Sequence, residues 1–479
     1  MKEAISQCQH PLLIAGEPRF SELSAEIRNP FDESLIGTVS LGNAADADEA
    51  VEKAHAAFQI TKNLPSHERA RILLDIAGQI ENEREDFARL IATEAGKPLR
   101  DARTEVNRAI NTFRVAAEEA KRTGGEILSL DWSPGMENRT ALMRRFPIGA
   151  ILGITPFNFP LNLVAHKVAP AIAAGNPIII KPAPQTPFSA LRLGEYVAQA
   201  GWAKGALSVV PCENNVAGRM LADERIKKLT FTGSAAVGWQ LKAAANRKKV
   251  TLELGGNAAV IVHTDADVET AVKRTVAGGF GYAGQSCISV QRIFLHESIR
   301  EDFVQKLIET VKRLKVGNPL DETTDVGSLI NQVAAERVEA WISEAKREGA
   351  TVLTGGRRTG NVFEPTVLAN VADDSKVSCE EVFAPVVIVD SYRDFAEVIN
   401  RVNNSRYGLQ TGVFTNDLRR INLAYQELET GAVIINDVPT FRAEQMPYGG
   451  VKDSGVGREG LRSAIEEMTE LKLLALNLN

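Results

Sequence analysis

From Thr140 onward, short apolar runs alternate with stretches of helical periodicity, and that alternation constrains the chain more than any other feature. The runs span 149–155, 177–180, 206–211, 228–232 and 250–254. Helical patterns fill the gaps at 161–174, 188–200, 216–222 and 237–245. Strands joined by helical crossovers must lie parallel, so the pattern predicts a doubly wound sheet of the nucleotide-binding kind. A second cycle follows: strands at 258–262 and 289–295, helices at 268–279 and 299–314, and further elements to about Asn436. The expected boundary lies near Gly255–Gly256.

The first third reads as helical. Asp46 is the expected N-cap of a helix carrying Ala47, Val51, Ala54 and Phe58 on one face, and Ser66 that of the next. A third helix closes at Gly96 and Pro98. A longer one, with Val106, Ile110, Phe113 and Ala117 on one face, runs to Gly124 and Gly125. The end of the chain, 471–478, is an apolar run with no obvious partner within the chain, and with 126–145 it is expected to form a strand pair.

At 479 residues with 44% hydrophobic and 24% charged, the chain can bury at least one large core, which excludes general disorder. Its net charge of −6 lacks the basic footprint of a nucleic-acid binder, so the expected partners are small molecules or copies of itself. Cys8, Cys212, Cys287 and Cys379 form no CxxC and no zinc spacing, and no HExxH or other metal pattern occurs. They fit a reducing, cytoplasmic setting in which a single cysteine can act as a nucleophile. Residues 1–11 lack the apolar stretch of a secretory signal. The uncharged segment 146–165 is long enough to span a bilayer, but Pro147, Pro156, Pro160, Asn158 and Asn162 argue for strand, loop and helix start instead.

Four local patterns carry candidate chemistry. Asn158, in Thr155-Pro156-Phe157-Asn158-Phe159-Pro160, either caps the following helix or offers its amide to an oxyanion. Phe231-Thr232-Gly233-Ser234 is either an ordinary strand-to-helix turn or a phosphate site at a helix N-terminus. It is not GxGxxG. Glu253, before Leu254-Gly255-Gly256, is a solvated strand-end charge or a general base. Cys287, after Gly284-Gln285-Ser286, is a buried structural thiol or a nucleophile.

Together and in this order, the four resemble the NAD(P)-dependent aldehyde dehydrogenase superfamily, over nearly the whole chain. Ile180-Lys181-Pro182, the Glu380–Pro385 motif and the Pro447–Gly457 run match as well, and the spacing of 34 from Glu253 to Cys287 agrees. The resemblance implies two doubly wound α/β domains and a small β oligomerisation arm. Residues 1–125 and 146–254 would bind coenzyme, 255–440 would be catalytic, and 126–145 with 441–479 would form the arm and tail. It also implies roles. Cys287 would attack an aldehyde, Asn158 and the Cys287 N–H would hold the oxyanion, and Glu253 would activate water against the thioester. Lys181 would bind the adenosine ribose, Ser234 the pyrophosphate, and Glu381 and Phe383 the nicotinamide ribose. Gly233 would leave room near the nicotinamide, and Thr155, Pro156, Phe157, Thr232 and Leu254 would complete the coenzyme site. The family commonly has a Glu three residues after the Lys, gripping the ribose and disfavouring a 2′-phosphate. Here that residue is Pro184, so both NAD and NADP are open as coenzyme.

Asn158–Leu163 and Cys287–Arg292 look most like the lactaldehyde dehydrogenase-like branch, which implies a small hydroxylated or anionic aldehyde, phosphorylated or phosphonylated ones included. Arg108 and Arg442 read first as surface arginines and second as contacts to an anionic substrate. His166 reads as packing or capping. Two other readings stand beside the hydrolytic enzyme: a coenzyme A-acylating dehydrogenase, which usually lacks the Glu253 base, and a catalytically silent protein on the same fold. A homodimer or homotetramer is expected, with no nucleic acid and no membrane as partner.

Overall fold

A computed structural model describes residues 9–478. Cys8 and most of the N-terminal stretch read above lie outside the described residues. The five apolar runs form the parallel middle of an eight-stranded sheet. Its order is Gly455–Val456, Lys249–Glu253, Ile226–Thr232, Ala150–Ile154, Ile178–Lys181, Leu207–Val209, Leu12–Ile14, Glu17–Arg19. The outer strands Gly455–Val456, Leu12–Ile14 and Glu17–Arg19 join antiparallel. Ile178–Lys181 is buried at every position, which is why it reads as an unbroken apolar run closed by a lysine rather than as an alternation.

The chain leaves Ala150–Ile154 toward Ile178–Lys181 on one side, then crosses back to place Ile226–Thr232 on the other. Strand order therefore reverses at Ala150–Ile154, and a crevice opens beyond the carboxyl ends of these strands. The loop of Asn158, the turn of Gly233 and Ser234, and Glu253 all lie at those ends. A second sheet of seven strands runs Thr351–Thr354, Thr366–Ala369, Val386–Tyr392, Arg292–His296, Ala259–Val262, Gln410–Phe414, Ala432–Ile435, antiparallel only at its first pair. Each sheet has its own apolar core.

Three local expectations are corrected. The first helix, Ala44–Thr61, is capped by Asn43, not Asp46. Asn43 Oδ1 accepts from the Ala45 and Asp46 N–H groups, while Asp46 Oδ2 accepts from the Asn43 N–H at 2.9 Å, a reciprocal capping box. Ser66 is the first residue of its helix, Ser66–Asn82, because Pro65 occupies the cap position. The terminal strand, Thr469–Asn477, does find a partner in its own chain. It pairs antiparallel with Arg139–Pro147, which also pairs with Gly125–Ser129. The strand still forms one edge of that three-stranded sheet, and Leu471, Leu473, Leu474 and Leu476 are exposed along it. Segment 146–165 resolves into strand, loop and helix start, and among the described residues no helix is long and apolar enough to cross a membrane.

Candidate active site

The crevice deepens into a cavity of about 340 Å³. Pro156, Phe157, Asn158, Thr232, Gly233, Ser234, Glu253, Leu254, Cys287, Glu381 and Phe383 line it, together with Arg108 and Arg442. Thr155, Lys181 and Pro184 do not. Thr155 donates its N–H to the Lys181 carbonyl at 3.1 Å, and Pro184 lies exposed on the loop that follows. These three continue the same carboxyl edge of the sheet away from the cavity.

The loop that leads to Cys287 is held in strained backbone. Tyr282 and Ala283 have φ of 48° and 52°, in the left-handed region that costs an L-residue about 1–2 kcal/mol. Three contacts on Tyr282 offset that cost. Its N–H donates to Asp101 Oδ2 at 2.9 Å, its hydroxyl donates to the Ala95 carbonyl at 3.0 Å, and the Lys97 ammonium lies 4.3 Å from its ring centroid. Gly284 follows at φ 69°, where a Cβ would meet the Ala384 oxygen at 2.1 Å, so no larger residue fits. Gln285 then ties the loop to its surroundings through Ser328 O and the Ile330 N–H.

Cys287 emerges with its sulfur 3.2 Å from the Tyr448 hydroxyl, beside Ile288 and Leu409. Burial pushes its thiol up to about 12; the Tyr448 hydrogen bond opposes this, Glu381 and Glu253 add to it, and Arg442 opposes it. Asn158 Nδ2 donates to the Gln285 carbonyl at 3.0 Å, which aims the amide at the loop that leads to Cys287 and leaves its second N–H free. The Cys287 backbone N–H donates to no acceptor among the described residues.

Glu253 is 3% exposed, and neither carboxylate oxygen has a partner. Burial and the charge of Glu459 push its carboxyl well above the usual range, against Arg442, Lys167 and Arg458. Glu459 goes the other way: despite burial, the Lys167 ammonium, His166 and Arg442 hold it well below. The two neighbouring carboxyls are thus pushed in opposite directions, Glu253 toward keeping its proton and Glu459 toward losing it.

A network of charges lies behind them. Lys167 Nζ bonds Thr232 Oγ1 at 2.8 Å and Glu459 Oε1 at 3.2 Å. Arg442 Nη2 reaches Glu459 Oε2 and His166 Nδ1, each at 3.2 Å. His166 Nε2 contacts Glu444 Oε2 at 2.6 Å, and Arg108 Nε donates to Glu444 Oε1 at 2.9 Å. The surface reading of the two arginines is therefore corrected: the Arg442 side chain is 6% exposed and that of Arg108 27%. His166 is corrected too, since it lines the cavity and bridges two ion pairs rather than packing inertly. Tyr448, Arg337, Lys167, Glu444 and Glu459 were not singled out by sequence reasoning. Tyr448 at least lay within a matched run.

The other wall fits a dinucleotide. Ser234 is the N-cap of Ala235–Ala244, and its side chain makes no capping bond, so hydroxyl and helix N-terminus both keep donors to spare for an anion. A Cβ at Gly255 would sit 2.5 Å from Glu381 Oε2, so this glycine clears the space that the carboxylate occupies. Glu381 accepts from the Gly256 N–H at 3.0 Å, and burial raises its carboxyl to about 7. Phe383 packs edge-on against Phe157 at 5.8 Å. The Lys181 side chain is buried, its pKa lowered by burial, and its Nζ has no hydrogen-bond or ion-pair partner among the described residues.

A cysteine facing an unpartnered carboxyl and an amide, next to a cradle for a dinucleotide, defines a class of covalent aldehyde oxidoreductases. The chain belongs to the aldehyde dehydrogenase family, whose sequence profile matches residues 20–474. It is 45% identical over 471 residues to the 3-sulfolactaldehyde dehydrogenase of Priestia aryabhattai, covering 98% of each chain. Aldehyde dehydrogenase 21 of Physcomitrella patens, solved with its reaction product succinate, superposes with a TM-score of 0.97 at 41% identity and 99% coverage of both chains. The glyceraldehyde-3-phosphate dehydrogenase GapN of Methanocaldococcus jannaschii, solved with NADP, gives 0.91 at 39% identity, covering 95% of this chain and all of that one (100%). The protein is thus an NAD(P)-dependent dehydrogenase that oxidises small aldehydes to acids, on the aldehyde dehydrogenase fold.

Proposed function

We propose that the substrate is a short aldehyde carrying an anionic group, and that Cys287, Asn158 and Glu253 perform the chemistry. The observation that carries the substrate is the charge balance of the wall. Arg108, Arg442 and Lys167 pair with only two carboxylates, Glu444 and Glu459, and the Glu253 carboxyl, pushed up by burial, makes no ion pair with any of them. Two guanidinium N–H groups on the cavity side chains, Arg108 Nη2 and Arg442 Nε, are buried without an acceptor. A carboxylate, sulfonate or phosphate supplies the missing counter-charge and acceptors together. The names of the relatives, a sulfonated aldehyde in one and succinate as product in another, agree with this.

In the reaction the Cys287 sulfur attacks the carbonyl carbon. The oxygen becomes an anion, held by the Asn158 amide and the Cys287 N–H. A bound nicotinamide dinucleotide supplies the hydride acceptor that turns this thiohemiacetal into a thioester. Glu253 then takes a proton from water, which attacks the thioester and frees the acid and the thiol. A base in the wall supports hydrolysis over transfer to coenzyme A. Ser234, Lys181, Glu381 and Phe383, with the turn at Gly233, hold the coenzyme. The eight-stranded sheet supports assigning 1–125 and 146–254 to coenzyme binding, and the seven-stranded sheet 255–440 to catalysis.

The exposed leucine edge of Thr469–Asn477 supports a homodimer or homotetramer in which a second copy covers it. A stable monomer by light scattering at micromolar concentration refutes this. The free thiols of Cys212, Cys287 and Cys379 support a reducing, cytoplasmic setting. The substrate test compares kcat/KM for a four-carbon aldehyde bearing a terminal carboxylate with that for butanal. A preference of about ten-fold or more for the acid is expected from one charge-assisted contact, and equal values overturn the anionic reading.

A further inference from the structure

Tyr448 takes no part in the chemistry so far, yet among the described residues it is the one hydroxyl hydrogen-bonded to the reacting sulfur. It is 3% exposed, and its oxygen lies 3.2 Å from Cys287 Sγ. Its backbone exchanges two hydrogen bonds with Glu459, N–H to O at 3.0 Å and O to N–H at 2.7 Å. Its ring lies 3.7 Å from the Arg442 guanidinium, whose charge is attracted to the aromatic face and draws electron density from the phenol. Backbone, ring and hydroxyl are all fixed before substrate arrives.

We propose that the Tyr448 hydroxyl is a catalytic hydrogen-bond donor to the Cys287 sulfur, populating the thiolate that attacks the aldehyde. This rests on the reading of Cys287 as nucleophile. A thiolate has no hydrogen, so in that state the phenol must donate. When the S–H bond breaks, the proton passes to water in the cavity and Tyr448 keeps its own. Burial holds the phenol well above its usual range, and nearby Cys287 adds to this. The charged and titratable groups facing the sulfur are Glu381, Glu253, Arg442 and Tyr448 itself. Both carboxyls disfavour the thiolate when ionised. Arg442 and Tyr448 favour it, and Tyr448 does so by direct contact with the sulfur.

The bond also predicts a trade. A lower thiol pKa gives more thiolate but a weaker nucleophile, with a Brønsted slope of about 0.4–0.5. Losing a charge-assisted bond in exchange for none raises the pKa by about one unit. The reaction rate then falls about three-fold at every pH below the thiol's own pKa.

The test is Tyr448→Phe, which keeps the ring and the Arg442 contact. The rate of reaction with dithiodipyridine is followed from pH 6 to 10 on the intact enzyme without coenzyme. The Cys287 signal is the part absent from Cys287→Ala. We expect the rate to fall about three-fold or more with the profile displaced to higher pH, while coenzyme affinity stays unchanged. An unchanged profile in a variant that still binds coenzyme overturns the role of Tyr448. Normal turnover by Cys287→Ala instead overturns the covalent reading on which it rests.

Discussion

The two walls of the cavity are built on different principles. The coenzyme-side wall is mostly backbone and apolar side chains: Phe157, the turn Thr232–Ser234, Leu254, Gly255 and Phe383. In the proposed reading it would recognise the coenzyme by shape and by N–H groups at one helix terminus. The opposite wall is paired charge: Arg108 with Glu444, His166 with Glu444, Lys167 and Arg442 with Glu459. A backbone wall tolerates little change of volume but has few charges to lose. A charged wall can be retuned by one substitution, because its two arginines each leave a guanidinium nitrogen without an acceptor. The difference teaches which wall a single substitution can alter in charge and which it can alter only in shape.

Cys287 belongs to neither wall, so removing its sulfur separates them most sharply. Cys287→Ala is expected to reduce turnover by about 10⁵-fold or more, while coenzyme affinity, set by the backbone wall, persists. Titration of coenzyme fluorescence beside a turnover assay checks both halves. Loss of coenzyme binding as well would mean that the sulfur supports the fold of the cradle.

Glu253→Gln comes next, with hydrolysis slowed by about 10²–10⁴-fold. Hydride transfer remains, so rapid mixing shows a burst of reduced coenzyme followed by slow turnover. The base must be ionised to act, and burial raises its carboxyl. Turnover in the wild type should therefore fall as pH drops through a value above the ordinary glutamate range. That limb disappears in the glutamine variant. A limb at ordinary carboxylate pH would place the working base elsewhere.

Arg108→Met tests the charged wall alone. Glu444 keeps His166, so the wall stays closed. We expect kcat/KM for a carboxylate-bearing aldehyde to fall about ten- to hundred-fold, from loss of one charge-assisted contact. Butanal should change by less than about three-fold, since it offers no charge to the guanidinium. An equal fall for both aldehydes would make Arg108 a structural member of the wall.

The same contrast explains what could be read from the sequence. The backbone wall consists of short contiguous motifs at strand ends, so Thr232-Gly233-Ser234 and Glu253-Leu254-Gly255 were recognisable in place. The charged wall joins residues far apart in the chain. Arg108 and Glu444 are separated by 336 positions, and Lys167 and Glu459 by 292. No local pattern marks such pairs, and arginine is most often a surface residue, so Arg442 read as exposed. His166 failed for the same reason. The five parallel strands of the first sheet and Ala259–Val262 and Arg292–His296 of the second were legible because parallel strands buried on both faces are uninterrupted apolar runs, whereas the short outer strands of the first sheet and the other five strands of the second were not read. The first helix cap slipped by three residues because its capping box contains two acceptable caps, Asn43 and Asp46.

The smallest expected effect lies on the backbone wall's outer edge. Pro184 is exposed on the loop after Ile178–Lys181, where the family commonly carries a ribose-gripping glutamate. Proline removes an acceptor for the 2′-hydroxyl and a repulsion against a 2′-phosphate. Lys181 remains as a buried cation without an ion-pair partner among the described residues, available to that phosphate. The preference of NAD over NADP should therefore be weak or reversed. Pro184→Glu restores both effects and should move the ratio of kcat/KM for the two coenzymes toward NAD by about ten-fold, the worth of one charge-assisted hydrogen bond. Pro184→Gln separates them: it restores the acceptor without the repulsion, so its shift should be smaller. Loss of the proline itself affects the loops of both variants alike in their flexibility, and the glutamine variant controls for it. A wild-type preference for NAD of about a thousand-fold would exceed what one missing carboxylate explains and would assign rejection of the phosphate to another residue.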